Sequence, residues 1–374
     1  MLKILQVLTD TNIGGAGIWL LNFLSSHNRD SLDISVVLPK NSMLKERLEE
    51  IDIRVIEAEG IADSSFSVSG IKSLSEIFER EKPDIVHTHA SLSARIAAKK
   101  NKIKVVHTRH CLESPKKGIK RVVYRYINNK LSDTVIAVSE AVYKNLTADG
   151  IDPDKLKTVY NGIYMLEEIP IGKKLAIRES YGIDDKSIIV GMVARLEPVK
   201  NHHMFLNVAK VVSTICPEAV FMIVGDGSMR DELEKKARVE GIADKVVFTG
   251  FIEDVNDIMN VIDIHVLTSE KEALSISLIE AMSLGKPVIA TNSGGPAEVI
   301  ENGVNGIIVG NGDEVNLTMA ITKCIQRSDV REKFGIAGKR IVQEKFFATD
   351  MAEQIEEVYY NLCQGKEEEN EKEV

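Results

Sequence analysis

Short apolar stretches rich in β-branched residues alternate along the chain with stretches in which apolar residues recur every three or four positions. The first pattern is typical of buried strands, and the second is typical of helices that bury one face. Helices are expected at "MLKERLEE", "HMFLNVAKVVSTI", "MRDELEKKARVEG" and "EVNLTMAITKCI". The predicted strands are "KILQVLT", "DISVVLP", "IRVIEA", "PDIVHTH", "KVVHTR" and "DTVIAVS" in the first half, and "SIIVGMVAR", "AVFMIVGDG", "KVVFTGF", "DIHVLTS", "KPVIATN" and "GIIVG" in the second. This alternation predicts parallel sheets with covering helices.

The series of strands pauses once, at "NGIYMLEEIPIGKKLAIRESYGIDDKS". Within this segment, residues 161–187, Pro170 and Gly172 predict an irregular connection. We therefore predict an α/β protein with two doubly wound, Rossmann-like domains, residues 1–165 and 166–345. Ligands of such sheets bind beyond the carboxyl ends of the strands, so a cleft between the two facing domains is the expected site.

The end of the chain has a different character from the two predicted domains. The stretch "MAEQIEEVYYNLC" has helical periodicity and predicts a final helix over residues 346–364. The last residues, 365–374, are almost all charged or polar and contain too few apolar side chains to build a packed structure. We predict that they form a disordered acidic tail.

Composition and cysteine usage limit the class of protein. With 44% hydrophobic and 28% charged residues, the chain is an ordinary globular sequence, and 374 residues are enough for large cores. Four widely spaced cysteines include no C-x-x-C pair, which argues against zinc and redox motifs and suits a reducing compartment. No apolar run approaches the ~20 residues of a membrane span, and the N-terminus lacks signal-peptide features. We expect a cytoplasmic protein that meets a membrane only peripherally, at its inner face.

Charge is spread unevenly along the chain. Residues 1–165 carry 24 Lys/Arg and 20 Asp/Glu, a balance of +4, and the remaining residues carry 23 and 36, a balance of −13. The segment from Arg95 to Lys130 contains twelve basic residues and a single acid, Glu113. This segment is either a solvated surface or an attraction site for an anionic membrane or a phosphorylated acceptor. Few aromatic residues and an overall charge of −9 argue against nucleic acid as the partner.

Two predicted loops contain residue types that bind anions. In "TDTNIGGAGIWLLNFL", Gly14 and Gly15 precede a helix and let the backbone approach a ligand closely, although a plain turn is the alternative. The spacing does not match the dinucleotide pattern G-x-G-x-x-G, which disfavours a dehydrogenase. In "VARLEPVKN", Arg195 and Lys200 follow a strand, and Pro198 stiffens the loop between them. Two such cations suit a diphosphate leaving group, since cleavage builds negative charge on it.

Four histidines follow or end two neighbouring predicted strands, in "VHTHA" and "VVHTRHC". A metal cluster is one interpretation, because imidazoles bind zinc, but no carboxylate stands at ligand spacing. The favoured interpretation is that one histidine faces the ligand while the others pack or cap. The four are His87, His89, His107 and His110, and His110 is the candidate because it lies furthest along its loop.

Two acids flank a short apolar stretch in "KEALSISLIEAMSLGKPVIATNSGGPAEVI". Glu272 and Glu280 are eight residues apart, which corresponds to ~12 Å along a helix, so both cannot bind one atom. We therefore place Glu272 in a loop and Glu280 inside the helix. The run "SLIE", from Ser277 to Glu280, also fits a capping box, which would make the second acid purely structural.

In their order along the chain, these motifs resemble the retaining glycosyltransferase family 4 enzymes, group 1 glycosyl transferases of GT-B fold. The stretch "EALSISLIEAMSLGKPVIATNSGGPAEVI" is similar to their signature of a Glu, seven residues, a second Glu, an "AMA-x-G-x-PV" run and a "GG-x-x-E" turn. "VARLEPVKN" resembles their phosphate loop. "IGGAG", "VYNGIY", "VGDGSMRDEL" and "FTGF" also occur in the family's order. The resemblance covers nearly the whole chain.

The resemblance implies a role for each candidate on the donor side. Arg195 and Lys200 hold the diphosphate of a sugar nucleotide, assisted by the backbone near Gly15. Glu280 accepts hydrogen bonds from the ribose of the donor. Glu272 contacts the transferred sugar as a catalytic residue. The family usually needs no metal in this site, so no metal ligand and no cofactor are expected.

The resemblance also implies contacts outside these two loops. His110 contacts the transferred sugar as the second catalytic residue. The backbone at Phe251 and Ile252 meets the base, and Leu274 and Ser275 belong to the donor-binding loop. The final helix crosses back to the first domain.

Three residues depart from the family pattern. Ala273 and Ser275 stand where "E-G-F-G" has glycines, which puts the identity of the donor sugar in question because both disfavour a positive φ. Tyr164 stands where the family often has Asp.

The predicted function is a retaining glycosyltransferase that moves a sugar from a UDP- or GDP-sugar to a glycan, a lipid-linked acceptor or a small molecule, in polysaccharide or glycoconjugate biosynthesis. A sugar-nucleotide epimerase or phosphorylase of the same two-domain build is the first alternative. The second is a non-catalytic sugar-nucleotide-binding subunit.

Overall fold

A computed structural model describes the backbone of residues 1–371 and the side chains of residues 1–363. The chain forms two compact units. The first unit contains Met1–Gly162 together with the chain from Ala348 onward, and the second contains Ile163–Phe347. The end of the predicted acidic tail, residues 372–374, lies outside the described residues.

The first unit is built on a seven-stranded parallel sheet with strand order β3-β2-β1-β4-β5-β6-β7. Its strands are β1 (Leu2–Val7), β2 (Leu32–Pro39), β3 (Arg54–Ala58), β4 (Ile85–His89), β5 (Lys104–Arg109), β6 (Thr134–Ala137) and β7 (Leu156–Thr158). The helices between them are α1 (Gly15–Ser26), α2 (Leu44–Glu50), α3 (Val68–Glu81), α4 (Leu92–Lys100), α5 (Gly118–Leu131) and α6 (Glu140–Ala148). The central strands are buried on both faces, as near-continuous apolar runs predict.

The second unit is built on a six-stranded parallel sheet with strand order β10-β9-β8-β11-β12-β13. Its strands are β8 (Ile188–Val193), β9 (Ala219–Val224), β10 (Val246–Gly250), β11 (Ile264–Leu267), β12 (Val288–Thr291) and β13 (Gly306–Val309). Its helices are α7 (Ile171–Ser180), α8 (His202–Ile215), α9 (Arg230–Val239), α10 (Asn256–Val261), α11 (Ile276–Ser283), α12 (Pro296–Val299), α13 (Glu314–Gln326) and α14 (Ser328–Lys345).

The last helix, α15 (Ala348–Glu371), belongs to the first unit, where it packs against α1. Its apolar face is buried at Met351, Ile355 and Tyr359. The backbone is helical as far as Glu371, beyond the boundary at residue 364 predicted from the sequence.

The segment between the two units differs from the sequence prediction. Residues 161–187 contain α7, so the prediction of an irregular connection is wrong there. Pro170 is the residue that caps the start of this helix, with φ −57°, and Gly172 is its second residue. Proline and glycine are poor residues in the middle of a helix, but proline suits its beginning because its fixed φ is already helical and its missing N–H is not needed there.

Each sheet reverses its strand order once. In the first unit, β1 and β4 are neighbours, and from them the chain order runs outward in opposite directions. In the second unit, β8 and β11 hold the same position. Ligands of doubly wound sheets bind at the carboxyl ends of the strands at this switch point. The loops after β1, β4, β8 and β11 are therefore where candidate residues should lie.

Candidate functional site

The loop after β8 contains the two predicted phosphate-binding cations. Arg195 is exposed, and within the described residues its side chain makes no ion pair. Leu196 beside it is fully buried and anchors the loop through backbone hydrogen bonds with Asp226 and Met229. A Cβ on Gly225 would lie 2.2 Å from the carbonyl oxygen of Ala194, so only glycine allows this close approach. The backbone is hydrogen-bonded on both sides of Arg195, and its side chain is exposed to solvent.

Lys200 is the second cation, and it is already paired. Its Nζ lies 2.6 Å from Oε2 of Glu272, the predicted sugar-contacting acid in the loop after β11. The Ser269 hydroxyl donates to the same oxygen over 3.0 Å. The side chains of Lys200 and Glu272 are 19% and 11% exposed, so water screens this pair only partly. The structure thus brings together two predicted residues from adjacent loops at the switch point.

The loop that carries Glu272 is held by the glycine turn after β12. The backbone N–H of Glu272 donates to the Ser293 carbonyl, and the N–H of Gly295 donates back to the Glu272 carbonyl, each over 2.9 Å. A Cβ on Gly295 would lie 1.8 Å from the carbonyl oxygen of Ala273. The second glycine of the "GG-x-x-E" turn is therefore required by packing, because it lets two loops meet backbone to backbone.

Glu280 lies in the second turn of α11 and does not form the capping box that "SLIE" suggests. The residue that caps α11 is Ser275, whose hydroxyl accepts from the N–H of Leu278 over 3.4 Å. Ser277 is already inside the helix, so Glu280 is too far along to reach back to the cap. The capping interpretation is wrong because the helix begins two residues earlier than the motif implies.

The Glu280 carboxylate is half-buried and has no hydrogen-bond partner in the described part of the chain. Burial, assisted by the negative charge of Asp254, raises its pKa to about 7. A desolvated carboxyl without donors around it is unusual, since buried polar groups are nearly always hydrogen-bonded. It can accept hydrogen bonds from ligand hydroxyl groups.

The remaining predicted donor-binding residues of the second unit lie between the two acids and in the loop after β10. Leu274 is buried, and Ser275 uses its hydroxyl for the helix cap, where its φ is −79°. Neither Ala273 nor Ser275 has a positive φ, so the absence of glycine at these positions causes no strain. After β10, Phe251 is 46% exposed and Ile252 is half-buried.

In the first unit, Gly14 and Gly15 lie at the carboxyl end of β1, and α1 begins at Gly15. Neither glycine has a positive φ, and a Cβ on either would meet nothing within 4 Å. The fold of the described chain therefore does not need glycine here, unlike at Gly295. A ligand that approaches the backbone closely would need it.

The loop after β5 carries His110, and beneath it lies a chain of buried hydrogen bonds. His110 Nε2 is 2.8 Å from His89 Nδ1, and His89 Nε2 is 3.0 Å from Gln6 Oε1. Gln6 Nε2 donates to the Tyr359 hydroxyl over 2.8 Å, and that hydroxyl is 2.5 Å from His87 Nδ1. We call these five side chains the histidine relay. It starts in the loop after β5, passes the ends of β4 and β1, and reaches Tyr359 in α15.

The imidazoles of the relay are neutral. Burial lowers the pKa of His87 and of His110 to about 3, and the positive charge of Arg109 contributes to the lowering at His110. Burial also holds the pKa of His89 well below its usual value. Among the described residues, no three His, Cys, Asp or Glu side chains are placed to hold one metal ion. The imidazoles act as hydrogen-bond donors and acceptors: His89 contacts His110, and His87 contacts Tyr359 and Thr108.

The basic segment between Arg95 and Lys130 has two parts. Arg95 is buried and donates to the Asn128 side chain over 2.6 Å, and Arg109 and Lys116 both pair with Glu113. These cations serve the fold of the first unit. The rest of the segment is α5, a helix with exposed cations and no acid.

The outward face of α5 is apolar. Its exposed apolar side chains occupy positions i, i+3, i+4 and i+7 and therefore lie on one side of the helix. The single buried residue, Asn128, projects from the opposite side. We call the exposed set the α5 surface: Ile119 (82% exposed), Val122 (55%), Val123 (49%) and Tyr126 (63%). Within residues 1–371 no helix has both the length and the apolar character to cross a membrane.

Some residues that build the site could not be chosen from the sequence. Tyr359 is separated from Gln6 by 353 positions, and no local pattern connects them. Asp254 acts on Glu280 only through space. Gln6 did carry a signal, because it is a polar residue in the middle of the apolar strand "KILQVLT".

Two protein-family models match the chain, one to each unit. The model described as Glycosyltransferase Family 4 matches residues 13–165, and the model described as Glycosyl transferases group 1 matches residues 173–341. The second match contains both cations and both acids of the loops after β8 and β11.

Curated relatives agree with the family models. The chain is 28% identical over 332 residues to UDP-Gal:alpha-D-GlcNAc-diphosphoundecaprenol alpha-1,3-galactosyltransferase of Escherichia coli, with 80% of this chain and 85% of that protein covered. It is 28% identical over 300 residues to N-acetyl-alpha-D-glucosaminyl L-malate synthase of Bacillus anthracis, with 77% of each chain covered.

Solved structures agree on the fold. Anabaena Alr3699/HepE, crystallised with UDP and glucose, superposes with a TM-score of 0.86 at 24% identity, covering 96% of this chain and 100% of that one. Sucrose-phosphate synthase of Thermosynechococcus elongatus superposes with a TM-score of 0.81 at 17% identity, covering 98% and 100%. The two doubly wound sheets, the motifs at their switch points and these matches together show that the chain belongs to glycosyltransferase family 4, the group 1 glycosyl transferases of GT-B fold.

Proposed function

We propose that the protein is a retaining glycosyltransferase that moves a sugar from a nucleoside-diphosphate sugar to a glycan or lipid-linked acceptor, in polysaccharide or glycoconjugate biosynthesis. One observation carries this proposal. At the switch point of the second unit, two cations follow β8 and two acids follow β11, one in the loop and one in α11, and Lys200 contacts Glu272 directly. A diphosphate needs cations, and a ribose and a sugar need acceptors for their hydroxyl groups, so one such donor satisfies both kinds of side chain.

The proposed role of the cations is to stabilise the leaving group. When the bond between the sugar C1 and the phosphate oxygen breaks, the electron pair stays on the diphosphate. Arg195 and Lys200 neutralise that growing charge, which preorganised donors do effectively in a partly desolvated site. Because these side chains supply positive charge, we propose that the site works without a resident metal or cofactor.

The proposed chemistry is transfer on one face of the sugar. The acceptor hydroxyl attacks C1 from the side that the diphosphate leaves, and its proton passes to a phosphate oxygen of the leaving group. Glu272 positions the sugar hydroxyls, and Glu280 accepts hydrogen bonds from the ribose. In the first unit, the backbone at Gly15 and the side chain of His110 contact the donor.

The relatives support the donor class and the acceptor class. The Escherichia coli relative is named for a UDP-galactose donor and a diphosphoundecaprenol-linked acceptor. A further crystal structure of Anabaena Alr3699/HepE contains UDP-glucose. We therefore propose a UDP-sugar as the first donor to test, with a GDP-sugar second, and a lipid-linked glycan as the first acceptor.

A screen of nucleotide sugars tests this proposal. Purified protein is incubated with each UDP- and GDP-sugar, and release of the nucleoside diphosphate is measured with and without a polyprenyl-diphosphate glycan. The expected result is slow hydrolysis of one donor, which the acceptor accelerates, and which EDTA does not abolish. Proton NMR of the product should show the same anomeric configuration as the donor.

Other outcomes of the screen would contradict the proposal. An isomerised donor without acceptor would identify an epimerase. Tight donor binding without any release of diphosphate would indicate a binding subunit. An inverted product would refute the same-face mechanism and leave the donor assignment intact.

We further propose that the α5 surface docks on an anionic membrane. Its four apolar side chains face solvent, Lys120 and Arg125 flank them, and Lys117 and Lys130 lie at the two ends of the helix. Basic residues around an outward apolar face are the arrangement of helices that lie in the lipid interface. A lipid-linked acceptor would present its glycan at that same interface.

Vesicle co-sedimentation tests this docking. Wild-type protein should bind vesicles that contain phosphatidylglycerol and not vesicles of phosphatidylcholine alone. Ile119→Ser with Val122→Ser should abolish binding, and Lys120→Gln with Arg125→Gln should weaken it by about 1 kcal/mol per charge. Ile336→Ser, at an apolar residue of α14 that is 68% exposed, is the matched control and should bind as wild type. Equal binding by all variants, or none by wild type, would overturn the docking proposal.

A further inference from the structure

Two fully buried polar side chains have no place in the proposed chemistry. Gln6 lies in the middle of β1 and Tyr359 lies in α15, and neither is exposed to solvent. Both belong to the histidine relay and connect His89 with His87. Burying polar groups is favourable only when they are hydrogen-bonded, so each member of the relay depends on its neighbours.

The direction of the hydrogen bonds in the relay determines which nitrogen of each imidazole carries the proton. Gln6 Nε2 donates to the Tyr359 oxygen, which leaves Gln6 Oε1 facing His89. An amide oxygen can only accept, so His89 carries its proton on Nε2. His89 Nδ1 is then without a proton and must accept from His110 Nε2–H. His110 is therefore the Nε2–H tautomer, with a bare Nδ1.

We propose that Tyr359 is a positioning residue for the transfer reaction, which fixes the tautomer of His110 through Gln6 and His89. In this tautomer His110 Nδ1 is an acceptor for a hydroxyl of the transferred sugar. That last contact rests on the proposed function, whereas the tautomer does not. α15 thereby acts on the site through the relay.

The Tyr359 hydroxyl is suited to this task because it has bonds on both sides. It accepts from Gln6 and, with its own proton, donates to His87 Nδ1, whose other nitrogen lies 2.6 Å from the Thr108 hydroxyl. Reversing the relay would require the Gln6 amide to turn over and all three imidazoles to change tautomer together. A phenylalanine at position 359 would remove the acceptor that holds the amide, and the relay would no longer prefer one direction.

Nitrogen NMR of histidine side chains tests the tautomer directly, without any substrate. Protein labelled with 15N-histidine is compared with His110→Gln to assign the ring signals. In wild type, His110 should show a protonated Nε2 and a bare Nδ1 near neutral pH. In Tyr359→Phe, the two ring nitrogens should move toward averaged shifts. Tyr360→Phe is the matched control: it removes a neighbouring hydroxyl of α15, which donates to Ser31 over 2.7 Å, and should leave the His110 signals unchanged.

Kinetics test whether the tautomer matters for transfer. Tyr359→Phe should lower kcat/KM about tenfold, which corresponds to about 1.4 kcal/mol, while the affinity for the nucleoside diphosphate stays unchanged. Gln6→Leu should have the same effect, and the double variant should lose little more than either single one, since both break one relay. Tyr360→Phe should keep wild-type kinetics.

The two measurements distinguish failure of the relay from failure of the proposed function. A protonated Nδ1 on His110 in wild type, or an unchanged tautomer in Tyr359→Phe, would overturn the relay, and so would additive losses in the double variant. If the tautomer changes as expected but the kinetics do not, His110 does not contact the sugar through Nδ1. Tyr359 is then not a positioning residue for the reaction. Should Tyr359→Phe melt at a much lower temperature, the wild-type tautomer and the Gln6→Leu variant still decide the question.

Discussion

Replacing Glu280 with glutamine should stabilise the protein and weaken donor binding. The carboxyl is half-buried without a partner in the described chain, and its pKa is raised from its usual 4.5 to about 7. An acid with a raised pKa in the folded state contributes stability below the unfolded pKa and loses it as pH rises through the folded pKa. The loss therefore occurs between about pH 4.5 and 7. A shift of this size corresponds to about 3 kcal/mol, and partial contact with solvent reduces it to about 1–3 kcal/mol.

Glu280→Gln is neutral at every pH and removes that cost. Its thermal unfolding should match wild type near pH 4 and occur at a higher temperature near pH 8. At pH 8 its dissociation constant for the donor should rise by about 10- to 100-fold, because a charge-assisted hydrogen bond to the ribose is lost. In wild type, donor affinity should increase between pH 6 and 8, since only the ionised carboxylate accepts from both ribose hydroxyls.

Calorimetric titration of the donor in two buffers of different ionisation enthalpy measures the proton that Glu280 releases on binding. Near pH 6.5 wild type should release a fraction of a proton and Glu280→Gln none. Asp254→Asn is the matched control: it removes the second cause of the raised pKa and should move the pH dependence downward without abolishing binding. If Glu280→Gln were less stable than wild type at pH 8 and bound the donor normally, the carboxyl would have a structural role and the assignment would be refuted.

Further substitutions test the other residues of the two switch points. Arg195→Ala should lower turnover at least 100-fold with thermal unfolding nearly unchanged, because the side chain makes no ion pair in the described chain; a large drop in melting temperature would indicate a structural cation. Glu272→Gln should abolish turnover but tighten binding of the free nucleoside diphosphate by several-fold, because Glu272 no longer competes with the diphosphate for Lys200. Weaker binding, measured by calorimetry, would refute this competition. Gly15→Ala should have the melting temperature of wild type and a higher KM for the donor. Gly295→Ala should destabilise the protein by about 2 kcal/mol or more, because its Cβ would collide with the backbone of Ala273. Equal melting temperatures for the two variants would contradict this packing argument.

The sheet architecture could be predicted because the strands of a parallel sheet are short apolar runs, which are visible in the local sequence. It missed β7, whose three residues Leu156–Thr158 include an exposed lysine and are too short to show a pattern. It also missed α7, because Pro170 and Gly172 were taken as breakers when the proline starts the helix. In both cases the structural role of a residue depends on where the strand or helix begins, which the local sequence does not determine.

For the site, the sequence predicted residue types and loops but not the contacts between them. The approach of Lys200 to Glu272 depends on β8 and β11 being neighbours, which only the strand order determines. The capping box failed because Ser275 competed with Ser277 for the same role and lies two residues closer to the strand. The histidine relay could not be predicted because it forms only when α15 packs in the first unit and brings Tyr359 to Gln6.

The free protein contains two electrostatic features that a single ligand would relieve. Lys200 forms an ion pair with Glu272, so in the free protein its ammonium group already has an anionic partner. Glu280, by contrast, has acceptor atoms and no donor in the described part of the chain, and burial raises its pKa. An anion alone would compete for Lys200 but leave Glu280 unsatisfied, and a simple sugar would do the reverse. A molecule with a diphosphate and neighbouring hydroxyl groups satisfies both. Tightening by Glu272→Gln and proton release by Glu280 should therefore be seen together with a nucleoside diphosphate, whereas inorganic pyrophosphate should show only the tightening and ribose only the proton release.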